Sequence, residues 1–316
     1  MANNKKILNL VTGGAGFLGS HLIDRLMFNN ESVICIDNFF TGRKSNIDQW
    51  INNPNFELIE HDVIKPIDLP NIDRIWHLAC PASPIHYQIN PIKTCQTSFL
   101  GTYNMLELSK KTKSKILLAS TSEIYGNPEV NPQPETYNGS VNTTGLRSCY
   151  DEGKRIAETL FSDYKRIHNL DIRIIRIFNT YGPRMRSDDG RVISDFIVKA
   201  LNNKPLSING DGSQTRSFCY VDDLINGMMK LMENDFSKPI NIGNPNELTI
   251  IDLAENIKNM INPNLNFIFK ILPQDDPTQR RPDIKLAYEK LNWEPKISLD
   301  EGLKLTIKWF KESLNN

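Results

Sequence analysis

The sequence predicts an α/β fold built on a doubly wound parallel sheet, with a smaller region after it. Three observations lead to this prediction. A glycine-rich turn joins a short apolar run to a helical pattern, strand-length apolar runs alternate with longer amphipathic segments over about the first 178 residues, and an acidic residue closes the second run. Such alternation is typical of parallel strands that are covered by helices on both faces.

The glycine-rich turn spans residues 12–19 and follows the apolar run 7–11. Gly13 and Gly16 lack a Cβ, which lets the backbone turn sharply and approach a ligand, and Gly19 would let the next helix pack against the strand. A phosphate group can then bind at the helix N-terminus. The helix itself is predicted from apolar residues that recur on one face, namely Phe17, Leu18, Leu22, Ile23 and Leu26.

The second apolar run, residues 33–36, ends at Asp37. An acidic residue about twenty positions beyond a glycine turn can hydrogen-bond the adenosine ribose of a dinucleotide. Its charge would repel a 2′-phosphate, so NAD is favoured over NADP as the cofactor. Arg43 and Lys44 follow closely and are interpreted as solvated loop cations. Turn and acidic residue together predict a Rossmann-type fold.

The remaining elements are predicted from periodicity. Strands are expected at residues 56–59, 74–78, 116–119, 172–177, 217–221 and 240–242, and helices at 94–111, 150–168, 192–201, 222–232, 250–260 and 299–310. Turn residues and charges become more common after residue 178. We therefore expect residues 1–178 to form an NAD-binding domain and residues 179–316 to form mainly the substrate-binding region, with some later elements returning to the first domain.

Composition excludes several classes of function. The formal net charge is zero, so the charge balance does not indicate nucleic acid or an anionic membrane as a partner. No stretch has the length and apolarity of a membrane span, and the first six residues lack an apolar signal region, so a soluble cytoplasmic protein is expected. Five cysteines with no C-x-x-C pair suggest neither a disulfide framework nor a metal site. They are expected to be buried, reduced thiols.

A tyrosine and a lysine four residues apart, Tyr150 and Lys154, are predicted to share one face of a helix. A nearby ammonium would lower the pKa of the phenol and make Tyr150 a base toward a sugar hydroxyl. Thr121, Ser122 and Glu123 follow the strand at 116–119, where a hydroxyl can share a substrate oxygen with Tyr150. Without further context, this run is equally an ordinary polar turn.

These motifs together resemble the extended short-chain dehydrogenase/reductase family. Longer segments resemble its UDP-glucuronate decarboxylases, also called UDP-xylose synthases, over nearly the whole chain. The segments are residues 37–44, 77–84, 121–123, 176–185 and 274–283. The Thr-Ser-Glu run and the segment around Arg280 are the discriminating parts, because related epimerases and dehydratases share the glycine turn and the Tyr/Lys pair.

The resemblance implies conversion of UDP-glucuronate to UDP-xylose through a 4-keto sugar with no net redox change. Tyr150 would remove the C4 hydroxyl proton while NAD accepts the hydride, with Thr121 or Ser122 sharing that hydroxyl. In the family, the residues matching Glu123 and Arg280 serve decarboxylation. We expect Arg280 to position the sugar carboxylate or diphosphate. Glu123 would either orient the ring or a proton-donating water, or help to expel the carboxylate through its charge.

The remaining site residues follow from the resemblance and from strand ends. Cofactor contacts are expected from Gly13, Gly16, Phe17, Leu18, Asp37, Asn38, Phe40, Thr41, Gly42, Asp62, Val63, Leu78, Ala79, Thr97, Tyr150 and Lys154. Substrate contacts are expected from Asn179, Arg191, Gln214, Arg216 and Arg280. No metal is expected. Related enzymes pair the helices that match residues 94–111 and 150–168, which implies a homodimer.

Other functions remain open at this point. A nucleotide-sugar 4-epimerase or 4,6-dehydratase would use the same first hydride transfer, although dehydration wants an Asp-Glu pair after Thr121, where Ser122 takes the first place. A non-catalytic NAD sensor would need neither Tyr150 nor Lys154. Ser98 and Cys80 depart from the family's usual Asn and Ser. We expect these departures to affect cofactor affinity more than the type of reaction.

Overall fold

The computed structural model describes residues 6–271 and 279–314. The strands of this part are β1 (Leu8–Thr12), β2 (Ser32–Asp37), β3 (Phe56–Glu60), β4 (Arg74–His77), β5 (Lys115–Thr121), β6 (Ile172–Ile177), β7 (Thr180–Tyr181), β8 (Leu206–Asn209), β9 (Thr215–Ser217), β10 (Cys219–Tyr220), β11 (Pro239–Ile242), β12 (Glu247–Thr249), β13 (Phe267–Lys270) and β14 (Gln279–Arg280). The helices are α1 (Phe17–Phe28), α2 (Pro84–Tyr87), α3 (Pro91–Gln96), α4 (Thr102–Thr112), α5 (Ser148–His168), α6 (Val192–Leu201), α7 (Val221–Glu233), α8 (Ile250–Ile261), α9 (Lys285–Leu291) and α10 (Leu299–Leu314).

Seven strands form the central sheet in the order β11-β6-β5-β4-β1-β2-β3. Every neighbouring pair is parallel. The strand order reverses between β1 and β4, and open α/β sheets bind ligands at such a switch point, beyond the carboxyl ends of the strands. The predicted fold class is confirmed. The seventh strand, β11, comes from the later part of the chain and lies beside β6.

Alternate residues of the strands face two separate apolar layers. In β2, Val33 and Cys35 pack into the cluster that contains α1 and the C-terminal helices, whereas Ile34 and Ile36 pack into the cluster that contains α4 and α5. A strand that is apolar on both sides must be covered on both faces. The continuous apolar runs of the sequence therefore become the middle of three layers.

Two predicted elements are corrected by the structure. Residues 217–221 are not one strand, because β9 pairs with β12 and β14 while β10 pairs with β7, and α7 already begins at Val221. The helix predicted at 94–111 begins at Pro91 and contains one π-helical turn, Thr97–Gly101, between α3 and α4. The sequence does not reveal either change, since both depend on which distant strand or helix lies alongside.

The described residues bear on three expectations, which concern membrane spans, metal sites and cysteines. None of their helices is long and apolar enough to cross a membrane. No group of three or more potential ligands that could hold a metal ion occurs among them. The five cysteines are free, but the expectation that all are buried is wrong: Cys95 is exposed and Cys80 is half-buried.

Candidate active site

A cleft of about 520 Å³ opens at the switch point of the sheet. Fifteen of the sixteen predicted cofactor residues line it, and only Gly42 does not. The same cleft is lined by three predicted catalytic residues, Thr121, Ser122 and Glu123. It is also lined by two predicted substrate residues, Asn179 and Arg191. Gln214, Arg216 and Arg280 do not line it. One cavity therefore joins the glycine turn to the Tyr/Lys pair and the Thr-Ser-Glu run.

The glycine turn requires glycine at two positions that pack directly against backbone atoms, Gly13 and Gly19. Gly13 has φ +70°, and a Cβ there would lie 2.9 Å from Ala79 Cα. A Cβ on Gly19 would lie 2.2 Å from the carbonyl oxygen of Gly13. Since neither contact is sterically possible, the close approach of β1, the turn and α1 depends on the missing side chains.

Asp37 lies at the carboxyl end of β2 and is nearly buried. Its carboxylate accepts hydrogen bonds from the backbone N–H groups of Ala15 at 2.9 Å and Phe39 at 2.8 Å. Burial raises the pKa of Asp37, and these backbone donors oppose the rise. A Cβ on Gly42 would lie 2.7 Å from an Asp37 oxygen, so the missing side chain at Gly42 leaves room for the Asp37 carboxylate.

Asp62 follows β3, as expected, and also lines the cleft. The Lys93 ammonium donates to Asp62 at 2.6 Å, and the Asn38 amide donates to the same oxygen at 3.3 Å. Burial alone would raise the pKa of Asp62, but these donors outweigh it and the pKa is lowered. Asp62 is thus an ionised acceptor beside the loop that follows Asp37. Sequence reasoning missed Lys93 because it lies on α3, far from both motifs.

Tyr150 and Lys154 are brought together on α5, and both are buried. The Thr121 side chain interacts with the Tyr150 side chain and acts to lower its pKa. The Lys154 ammonium lies 5.9 Å from the centre of the Tyr150 ring and donates to the Ala119 carbonyl at 2.8 Å. The expected lowering of the Tyr150 pKa by Lys154 is wrong for this structure, because burial raises the pKa of Tyr150. Burial also lowers the pKa of Lys154.

Glu123 lies in a 3₁₀ turn, Ser122–Tyr125, directly after Thr121. Its Oε2 accepts from Arg147 Nη2 at 2.5 Å and from Arg280 Nη2 at 3.1 Å. Burial alone would raise the pKa of Glu123. The guanidinium groups of Arg280, Arg147 and Arg216 outweigh that effect and hold the pKa below its ordinary value.

Arg280 belongs to β14 and is only 1% exposed. It lies behind the cleft wall, where its Nη1 donates to the Ser122 carbonyl at 3.0 Å. Arg280 is therefore not placed to contact a ligand in the cleft directly. It contacts Glu123, which does line the cleft. Residues 274–278 of the motif that contains Arg280 lie outside the described residues.

Two of the predicted substrate contacts, Gln214 and Arg216, lie outside the cleft. The Gln214 amide donates to the Asn209 carbonyl at 2.7 Å. Arg216 lies on β9 beside Arg280, with which it is paired in register. Neither residue lines the cleft, so the structure does not bring them to the glycine turn. The charge of Arg216 instead acts on Glu123.

Further residues of the site were missed by sequence reasoning. Arg147 and Asp151 approach each other to 3.9 Å across one helical turn. Their spacing of four residues is a signal that could have been found beside the Tyr/Lys pair. Tyr87 lies on α2 and stacks on Tyr150, and no local pattern marks it. Other unpredicted residues that line the cleft include Asn46, His86, Asn90, Lys93, Arg184, Arg186 and Asp189.

The family model described as GDP-mannose 4,6 dehydratase matches residues 10–306. UDP-glucuronic acid decarboxylase 5 from Arabidopsis thaliana is 57% identical, over 96% of this chain and 89% of the relative. UDP-glucuronic acid decarboxylase 1 from Danio rerio is 52% identical, over 97% of this chain and 73% of the relative.

Solved structures show the same architecture. A UDP-glucuronic acid 4-epimerase from Bacillus cereus, in complex with UDP-glucuronic acid and NAD, superposes with a TM-score of 0.88 at 30% identity. The match covers 97% of this chain and 100% of that one. Near-complete coverage at more than half identity extends the likeness beyond the shared fold. The chain belongs to the UDP-glucuronic acid decarboxylase family of the extended short-chain dehydrogenases/reductases.

Proposed function

We propose that this chain decarboxylates UDP-glucuronate to UDP-xylose, using NAD as a resident cofactor. The observation that carries the proposal is the placement of Glu123 two residues after Thr121, in the turn that follows β5. Thr121 interacts with Tyr150, and Glu123 is held by two arginines. The groups suited to making a C4 ketone and those suited to the later loss of CO2 therefore adjoin each other on one turn.

NAD fits the cleft by the following features. The glycine turn leaves room for a pyrophosphate at the N-terminus of α1, Asp37 lies at the adjacent strand end, and Asp62 lies at the next. When bound, NAD supplies a reversible hydride acceptor. The chain's part is to hold it: Gly13 and Gly16 at the pyrophosphate, Asp37 at the ribose and Asp62 at the adenine amine.

The first step requires removal of the proton from the C4 hydroxyl. Tyr150 is the proposed base, and Thr121, which interacts with Tyr150, shares the hydroxyl. Lys154 supplies a positive charge close to the tyrosine ring. Because burial raises the pKa of Tyr150, the positive charge of Lys154 must act on Tyr150 while the C4 hydroxyl proton is being transferred.

Loss of CO2 then uses the ketone as an electron sink. The C5–C6 bond breaks, its electron pair spreads onto the C4 oxygen, and the Tyr150 hydroxyl and Thr121 stabilise the enolate. C5 afterwards takes one proton, and return of the hydride to C4 together with the proton held by Tyr150 would restore the C4 alcohol without an external reductant. Glu123 is ionised and lines the cleft, so it can orient the ring or a proton-donating water. Arg280 holds Glu123, and we propose positioning as its role.

The division of the chain is part of the proposal. Elements before residue 179 hold NAD, while Asn179, Arg191 and neighbouring later residues face the UDP-sugar. We also propose a homodimer that pairs the helices at 94–111 and 150–168. Exposed Phe99, Tyr103 and Ile156 on those helices support it. Sedimentation equilibrium tests this part.

The function is tested by incubating the protein with UDP-glucuronate and no added reductant. We expect release of CO2 from the labelled carboxylate and a product with the mass of UDP-xylose. Tyr150→Phe serves as the inactive control. Recovery of UDP-galacturonate with the carboxylate intact would identify a 4-epimerase and contradict the proposal.

A further inference from the structure

Behind Glu123 lies a set of side chains that does not line the cleft. It consists of Tyr87, Arg147, Asp151 and Arg280, and we call it the rear charged layer. Tyr87 and Arg280 are 1% exposed and Asp151 is 6% exposed. Glu123 stands between this layer and the cleft, because it lines the cleft and accepts hydrogen bonds from both arginines.

Several polar atoms of the rear charged layer are buried without a hydrogen-bond partner in the described part of the chain. They are the Tyr87 hydroxyl, Asp151 Oδ1 and Arg280 Nε. A buried polar group that makes no hydrogen bond destabilises the folded state. Because each of these three groups lowers the stability of the fold, a gain in stability does not explain their presence in one layer. Unsatisfied buried groups of this kind are found at functional sites.

Arg147 connects the two carboxylates. Its Nη2 donates to Glu123 Oε2 at 2.5 Å, and its Nε lies 3.9 Å from Asp151 Oδ2. A guanidinium has donors in a fixed planar fork, so an attraction at Nε also fixes the direction of Nη2. The charge on Asp151 therefore bears on how Arg147 holds Glu123.

Asp151 is surrounded by charged groups from several elements. Glu152 follows it on α5 and Arg147 precedes that helix, while Glu123 comes from the turn after β5, Arg280 from β14 and the Tyr87 hydroxyl from α2. Burial, and next the charge of Glu123, raises the pKa of Asp151 to about 7, against the opposing arginines. Asp151 consequently changes its charge near neutral pH.

We propose that Asp151, acting through Arg147, is a positioning residue for Glu123 in the loss of CO2. The ionised form holds Arg147 at its Nε and so keeps Nη2 directed at Glu123; the neutral form releases it. This inference rests on the proposed decarboxylase function and adds a pH-sensitive support to the same site.

The first hydride step should depend much less on this support. Tyr150 interacts with Thr121, and Lys154 is fixed by its hydrogen bond to the Ala119 carbonyl. These contacts hold the C4 chemistry on the strand end of β5, whereas Arg147 contacts the side chain of Glu123. A substitution of Asp151 should therefore slow CO2 release more than C4 oxidation.

The test compares Asp151→Asn and Arg147→Lys with a matched control, Glu152→Gln. Glu152 neighbours Asp151 and carries the same charge, but its side chain is 38% exposed and pairs with Arg155. In single turnovers of the holoenzyme, the change in nicotinamide absorbance reports C4 oxidation and labelled CO2 reports decarboxylation. Both are followed from pH 5.5 to 9, and the melting temperature of each variant is recorded.

For Asp151→Asn we expect CO2 release to slow about tenfold while C4 oxidation stays within about twofold, because a 1.4 kcal/mol loss in one transition state is a tenfold effect. In the wild type, CO2 release should fall as the pH drops through about 7, and the variant should lack that inflection. Arg147→Lys should show the same separation, since a lysine lacks the fork. Glu152→Gln should match the wild type in both steps.

Equal losses in oxidation and CO2 release, or an Asp151→Asn profile like that of Glu152→Gln, would overturn the inference. If Asp151→Asn does not fold, Arg147→Lys is judged by the same separation of steps. Failure of the wild type to release CO2 would instead remove the proposed function, and the inference with it. The two failures are thus distinguished by the wild-type reaction alone.

Discussion

Tyr87 stacks on Tyr150 with the ring planes 2° apart and the ring centres 5.1 Å apart. Both rings are buried, and they come from helices α2 and α5. The stack restricts the ring of the proposed base to one orientation. This orientation directs the Tyr150 hydroxyl toward Thr121 and places the ring near Lys154.

Replacing Tyr87 by leucine should impair Tyr150 as the base, although Tyr150 itself is unchanged. We expect C4 oxidation to fall about tenfold, and stability to fall by about 1 kcal/mol or more, because an aromatic pair contributes roughly 0.5–1.5 kcal/mol beyond its buried area. Tyr87→Phe keeps the stack and removes a hydroxyl that has no partner among the described residues. It should be as stable as the wild type or more so. A thermal melt and single-turnover oxidation check both, and equal activity in the leucine variant would refute the orienting role.

Tyr150→Phe and Lys154→Ala should both lose the first hydride step. A general base contributes roughly 10²- to 10⁴-fold, so we expect at least a hundredfold loss in nicotinamide reduction. In the wild type the rate of this step should rise from neutral to alkaline pH, since burial raises the pKa of Tyr150 and its deprotonated form is favoured as the pH increases. Retained NADH formation in either variant would remove Tyr150 as the base.

Glu123→Gln and Arg280→Ala should damage CO2 release more than C4 oxidation. We expect a separation of at least about tenfold, together with lower stability, because breaking a buried ion pair costs roughly 3–5 kcal/mol. Arg281→Ala is the matched control for Arg280; Arg281 donates to the Pro245 carbonyl and makes no hydrogen bond or ion pair with Glu123 among the described residues. Equal damage to both stages would contradict the assignment of Glu123 and Arg280 to decarboxylation.

Gly19→Ala should destabilise the protein more than Gly16→Ala. A Cβ at Gly19 would lie 2.2 Å from a backbone oxygen, whereas a Cβ at Gly16 would lie 3.1 Å from its nearest neighbour. We expect a loss of about 1–3 kcal/mol for Gly19→Ala, the usual cost of overpacking, and little for Gly16→Ala. Because Gly16 lines the cleft, its variant should instead bind NAD more weakly. Denaturant unfolding and NAD titration separate the two effects.

Asp151→Asn should become more stable relative to the wild type as the pH rises. The pKa of Asp151 is raised to about 7 in the folded chain, so its contribution to stability is full below the ordinary carboxyl pKa and is lost as the pH rises toward 7. Asparagine has no proton to lose. The difference in melting temperature should grow between about pH 4 and pH 7 and then level off. A constant difference would show that Asp151 does not titrate in this range.

The parts of the site that the sequence determined are those formed by neighbours in the chain. The glycine turn depends on missing side chains at Gly13 and Gly19, and Tyr150 and Lys154 share a helical face through their spacing. Asp37 is placed because it ends a strand. These relations are local, so a periodic pattern and a few residue types were enough to predict them.

The tertiary structure decided which distant groups meet and what their charges do. Glu123 and Arg280 are 157 positions apart, and the rear charged layer draws on α2, α5 and β14. The sequence favoured a lowered pKa for Tyr150, yet burial among packed elements raises it. Spacing along a chain fixes which side chains share a face, but the loss of water around them depends on everything that folds over that face.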